Sequence, residues 1–308
     1  MMRHGSLKDP IEAFEWRNCM ADNTHITSGE LTVEISSLGA EMQSVKTADG
    51  REWLWNGDPA FWTGRSPILF PIVGKAPDNK VDVDGVSYGM AQHGFARRSD
   101  FVMTTADAAR CRFELASSDK TRAIYPFEFL LAVEYAVEGR RLMVSAEVEN
   151  RDSRPMPFGF GFHPAFLWPL PGAGNVPHTV TLDNGSEPLL TRLDEGLVAE
   201  GDLPSPFSQG KLTLAHEQFE NDAMIFAEGA GTGLTYAAEN GPSLRFTFGN
   251  LPNVALWQKP GAPFLCVEPW HGMAARSGGS AEIAERPYST VLQPGKTARF
   301  AVSIDFEN

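Results

Sequence analysis

The chain has 308 residues, with 26 basic against 39 acidic side chains, a net charge of −13 and three cysteines. So acidic a chain repels phosphate backbones and anionic lipid, which argues against nucleic-acid or membrane partners. No apolar run approaches the roughly 20 residues of a membrane span, and an odd cysteine count without a CxxC pair argues against a disulfide framework and for a reducing, cytoplasmic setting.

Residues 1–25 lack the apolar core of a signal peptide and read as an N-terminal extension; residues 26–308 read as one domain without a linker. Period-2 alternation then dominates. "LTVEI" at Leu31 opens the pattern. "GRSPILFPIVGK" (Gly64 to Lys75) brackets an apolar run with two prolines, which belongs at a sheet edge, a bulge or a cleft wall because proline deletes ladder donors. Arg65 and Lys75 flank it as candidate clamps on hydroxyl or phosphate oxygens, or as ordinary charges at strand ends. In "QHGFARRSDF" (Gln92 to Phe101), Gly94 after His93 permits close backbone approach, and Arg97 and Arg98 follow on the same turn.

"FEFLLAVEYAV" and "RLMVSAEVEN" alternate on either side of Gly139 and predict a long hairpin. "FGFHPAFLWPL" holds His163 among aromatic rings, with Pro164 pushing it towards extended geometry. "WPLPGAGNVPH" reads as a connection and "AHEQFEND" as about one helical turn. Asp222 opens the apolar "AMIF" as a ligand-binding or capping residue. "SLRFTFG" is a further strand. "FLCVEPWHG" ends an apolar strand on Glu268, which must be paired or face a cavity, since an isolated buried charge is too costly. "SAEIAERP" (Ser280 to Pro287) predicts a short helix, and "TARFAVSIDF" a closing strand. The fold class is all-β, a large antiparallel sandwich with few short helices; no 40- to 50-residue repeat supports a propeller.

Of seven histidines, His4 and His25 read as exposed, and His178 and His216 as loop residues. His93, His163 and His271 lie in aromatic and glycine-rich settings. No metal-ligand spacing, GxSxG, GxGxxG or Walker loop occurs, so neither a metal nor a cofactor is expected, although these three histidines and Glu268 could converge on an ion. Paired acids for glycoside hydrolysis would need Asp222 as the second carboxylate.

"SPILFPIVG", "QHGFAR", "FHPAF" and "CVEPWHG", in that order, resemble the aldose 1-epimerase (galactose mutarotase-like) family, from "LTVEI" to the C-terminal strand. The resemblance implies a β-sandwich with an open cleft, Glu268 as catalytic base, His163 as acid, and His93 and Asp222 as ligands of sugar hydroxyls. Family members carry an arginine where this chain has Lys75, for which Arg65 is the candidate substitute. Arg97 and Trp257 complete the candidate set, with Trp257 or Trp270 offering an apolar face to a sugar ring. The implied reaction exchanges α and β anomers of an aldose by ring opening, with acid and base on opposite sides of the sugar. Rival readings are a hexose-6-phosphate 1-epimerase, a non-catalytic sugar-binding protein and a metal-dependent β-sandwich enzyme. Either a monomer or a homodimer is compatible with the sequence.

Overall fold

The computed structural model describes residues 22–308. The extension expected over residues 1–25 lies outside the described residues up to position 21, and Asn23–Thr27 is the first strand described. No helix among the described residues is long and apolar enough to cross a membrane.

A nine-stranded antiparallel sheet forms one layer. The predicted hairpin lies within it, next to the central strand Thr297–Glu307. Phe129–Glu138 pairs along its whole length with Arg141–Asn150, which pairs in turn with Thr297–Glu307. Alternation explains the register: Leu142, Val144, Ala146 and Val148 are buried on one face, opposite Phe300, Val302 and Ile304 from the last strand. Ser243–Gly249 extends the sheet beyond Thr297–Glu307.

A second sheet runs in the order Met224–Phe226, Asn253–Trp257, Phe264–His271, Phe160–Phe162, Ile68–Leu69, with Ala165–Leu167 also paired to Phe264–His271. Ile68–Leu69 is an edge strand between Pro67 and Phe70–Pro71, where proline costs fewest ladder bonds. Every strand of this sheet buries both faces, each for a different purpose. Leu265, Val267, Val254, Leu256, Met224, Phe226, Phe160 and Phe162 join the core shared with the nine-stranded sheet. The alternate residues Phe264, Cys266, Trp270, Ala255, Ile225 and Leu69 pack in two smaller clusters on the far face. That far face carries the site.

Two local expectations fail. Ser280–Pro287 holds only the 3-10 turn Ile283–Glu285, because Pro287 and the glycines before it leave too few residues to propagate a helix. His178 begins the strand His178–Leu182 and is buried, its Nε2 accepting from Leu170 N at 3.0 Å; the backbone group at the start of the Pro/Gly-rich connection thereby gains a partner. The expected turn in "AHEQFEND" is the 3-10 segment His216–Phe219.

Candidate active site

A cavity of about 330 Å³ opens on the far face of the second sheet, within the usual size of ligand pockets. Its floor is Glu268 and His163. Glu268 follows Cys266 by two positions on Phe264–His271 and shares its face. His163 follows Phe160–Phe162 and precedes Pro164, whose carbonyl accepts from Val267 N at 3.2 Å; this pins the imidazole beside the carboxylate. His163 Nε2 lies 3.1 Å from Glu268 Oε2. The contact is not aligned as a hydrogen bond, and both Glu268 Oε2 and His163 Nδ1 lack a hydrogen-bond partner among the described residues. Two polar groups held this way are costly unless a ligand completes them.

Their acidities follow from burial. Glu268, 1% exposed, is pushed well above the carboxylate range, first by desolvation and then by the neighbouring charge of Asp222. Desolvation pushes His163 down, to about 3. Both shifts disfavour the charged forms, so the resting pair keeps one proton, held chiefly on the carboxyl. Trp62 stacks on His163 at 5.0 Å between centroids and Trp257 meets it edge-on at 5.8 Å. An indole face favours an imidazolium, so Trp62 lowers the cost of charging His163 when a reaction demands it. Gly64 makes that stack possible, because a Cβ there would sit 2.4 Å from the Trp62 ring.

His93 faces His163 edge-on at 5.5 Å. Its Nδ1 accepts from Gly74 N at 3.1 Å, and burial, together with the nearby cations, holds the ring neutral. The proton therefore sits on Nε2, which lies 3.3 Å from the Gln92 side-chain amide beside the cavity. The backbone aims it: His93 has φ +64°, a costly value for a residue with a Cβ. Gly94 follows at φ +72°, where a Cβ would meet Phe70 O at 2.1 Å. Asp222 is also in the left-handed region (φ +66°) and lines the cavity. Arg192 anchors its segment by donating to the carbonyls of Asp222 (2.9 Å), Ala223 (3.1 Å) and Gln218 (2.9 Å).

Of the sequence-derived candidates, Glu268, His163, His93, Asp222, Arg97 and Trp257 all line this cavity; Arg65 and Lys75 do not. Arg65 donates to Gln43 O at 2.6 Å, and Lys75 Nζ to Glu195 O at 2.9 Å. Each cation donates to a carbonyl of a segment remote in sequence, outside the cavity lining. Arg97 reaches the cavity wall from a 3-10 turn, with Nη2 on Gln92 O and Nε buried without a partner among the described residues. His271 turns instead to Asn250 O and the Phe300 ring, away from the cavity. Trp62, Gln92 and Lys259 line the site unanticipated. Trp62 belongs to "EWLWNGDPAFW", whose three tryptophans read equally well as core.

The fold is thus two main antiparallel sheets with an aromatic-walled cavity that has a carboxyl and an imidazole on its floor. The aldose 1-epimerase family profile matches residues 22–304, and the chain belongs to that family. It is 28% identical to the chromosomal LacX protein of Lactococcus lactis subsp. lactis, over 90% of this chain and 97% of that one. A galactose mutarotase related enzyme from Lactobacillus acidophilus superposes with a TM-score of 0.87 at 26% identity, covering 93% of this chain and 98% of that one. A galactose mutarotase-like protein from Lactobacillus casei gives 0.85 at 28% identity, with 93% and 100% coverage.

Proposed function

We propose that the protein is an aldose 1-epimerase that exchanges the α and β anomers of an aldose through the open chain, with Glu268 and His163 as the proton-transfer pair. The observation that carries this reading is their 3.1 Å contact on the cavity floor. The pair is side by side, where an arrangement across the sugar was expected. Side by side suits the chemistry, because the anomeric hydroxyl and the ring oxygen hang on one carbon and can face one floor together.

On sugar binding the pair's single proton passes from Glu268 to His163, and in the ring-opening step the carboxylate so formed removes the proton of the anomeric hydroxyl. The C1–O5 bond breaks as a carbonyl forms at C1, and His163 protonates O5. After rotation about C1–C2 the transfers reverse on the other carbonyl face, so no proton is gained or lost. The resting pair holds the single proton this needs, and a sugar hydroxyl donating to Glu268 supplies the partner its Oε2 lacks. Each positioned group contributes roughly 10²- to 10⁴-fold. His93 Nε2–H, Asp222 and Arg97 hold the remaining hydroxyls, and Trp257 and Trp270 give the ring an apolar wall.

Arg97 and Lys259 together favour a second substrate class, a phosphorylated hexose, since both cations line the cavity. Polarimetry on freshly dissolved α-glucose and α-galactose, with exchange NMR on a panel of free and 6-phosphorylated aldoses, tests the proposal. Acceleration over the spontaneous rate is expected with at least one member. Binding by calorimetry without acceleration of any member would favour a non-catalytic sugar-binding protein.

A further inference from the structure

Metal-ligand spacing is missing from the sequence, yet the fold assembles a ligand set from two segments. One imidazole nitrogen of His163, the Cys266 thiol and one carboxylate oxygen of Glu268 lie within 4.8 Å of one another, and all three residues are buried. Cys266 and Glu268 meet because they share a strand face two residues apart; His163 joins through the Val267–Pro164 backbone hydrogen bond. Glu268 Oε2 and His163 Nδ1 have no hydrogen-bond partner among the described residues.

We propose that the cavity floor is also a binding site for a thiophilic divalent cation of the Zn²⁺ class, held by His163, Cys266 and Glu268, and that cation and sugar exclude one another. Ligands around a tetrahedral zinc at about 2.0–2.3 Å stand roughly 3.3–3.8 Å apart, so the set needs only a modest contraction. An N, S and O donor set selects zinc-like ions over Mg²⁺ or Ca²⁺, which prefer oxygen throughout. His163 and Glu268 line the cavity and Cys266, fully buried, does not, so a fourth ligand such as water would enter past the first two. Neutral imidazole, thiolate and carboxylate balance the charge of the cation, so its burial adds no net charge. Burial and Glu268 push the thiol well up, so the cation must displace its proton; with the proton of the Glu268–His163 pair, two are released per ion bound. Mutual exclusion rests on the sugar site proposed above; cation binding does not.

The test uses the full chain and Cd²⁺ as probe, reading the ultraviolet thiolate-to-metal charge-transfer band. A saturable band at one equivalent is expected in wild type and in Cys19→Ser. Cys266→Ser should abolish it. Glu268→Gln, which keeps the thiol, should weaken binding by at least about 100-fold, no less than loss of an outer-shell partner costs. An absent wild-type band, or one unchanged in Cys266→Ser, would overturn the site, whatever the protein's activity. Zn²⁺ should slow anomer exchange in wild type at least tenfold more than in Cys266→Ser; equal slowing of both would overturn the exclusion while leaving the epimerase reading intact.

Discussion

Replacing Glu268 by glutamine should change stability relative to wild type in a pH-dependent way, the variant gaining on the wild type as pH rises. The folded carboxyl is pushed well above 4.5 by burial and by Asp222, whereas in the unfolded chain it titrates near 4.5. Between those two values the folded state holds a proton that the unfolded state has lost. Stability of the wild type therefore falls as pH rises through that window, by up to about 1.4 kcal/mol per pH unit. The amide of the Glu268→Gln protein does not ionise, so this slope disappears. The stability difference between the two proteins therefore widens with pH for as long as the folded carboxyl keeps its proton, by up to about 1.4 kcal/mol for each pH unit. A buried amide left short of partners costs a constant offset of about 1–3 kcal/mol, so the slope is the diagnostic quantity. Urea denaturation of both proteins at pH 5, 6, 7 and 8 measures it. A stability difference that does not change across the series would refute the claim that Glu268 is an uncompensated buried carboxyl.

Other consequences follow from the same geometry. Because burial depresses His163 to about 3, the acid limb of kcat/KM for anomer exchange should lie well below pH 6.5; a midpoint at the ordinary imidazole value would contradict that burial. Arg192→Met should free the Asp222 segment from its carbonyl anchors, raising KM by about tenfold with a smaller change in kcat, measured by saturation kinetics. Gly94→Ala should destabilise the fold by more than about 1 kcal/mol, because its Cβ would strike the Phe70 carbonyl at 2.1 Å from a left-handed backbone; thermal unfolding reads this directly.

The sandwich was legible because alternation is a local signal, and Phe129–Glu138, Arg141–Asn150 and Thr297–Glu307 show it plainly. The cavity floor was legible for a related reason. A carboxylate inside "FLCVEPW" and an imidazole inside "FGFHPAF" are buried polar groups that an apolar strand has no structural need to carry. What failed was direction in space. Arg65 and Lys75 look like clamps until Gln43 O and Glu195 O, remote in sequence, are seen to take their donors. His178 looks like a loop residue until Leu170 N is seen to need its ring. Trp62 was hidden by its company: nothing local separates it from Trp53, which is core, and only the stack on His163 gives it a role at the site. Cys266 was passed over because its partners lie on another segment and at a strand spacing that no metal motif describes.

Anomer exchange in the Glu268→Gln protein tests the central claim most directly. Saturation-transfer NMR on whichever aldose the wild type turns over should show exchange falling at least about 10²-fold, towards the spontaneous rate, while the protein stays folded. Exchange at the wild-type rate in folded Glu268→Gln would contradict the account.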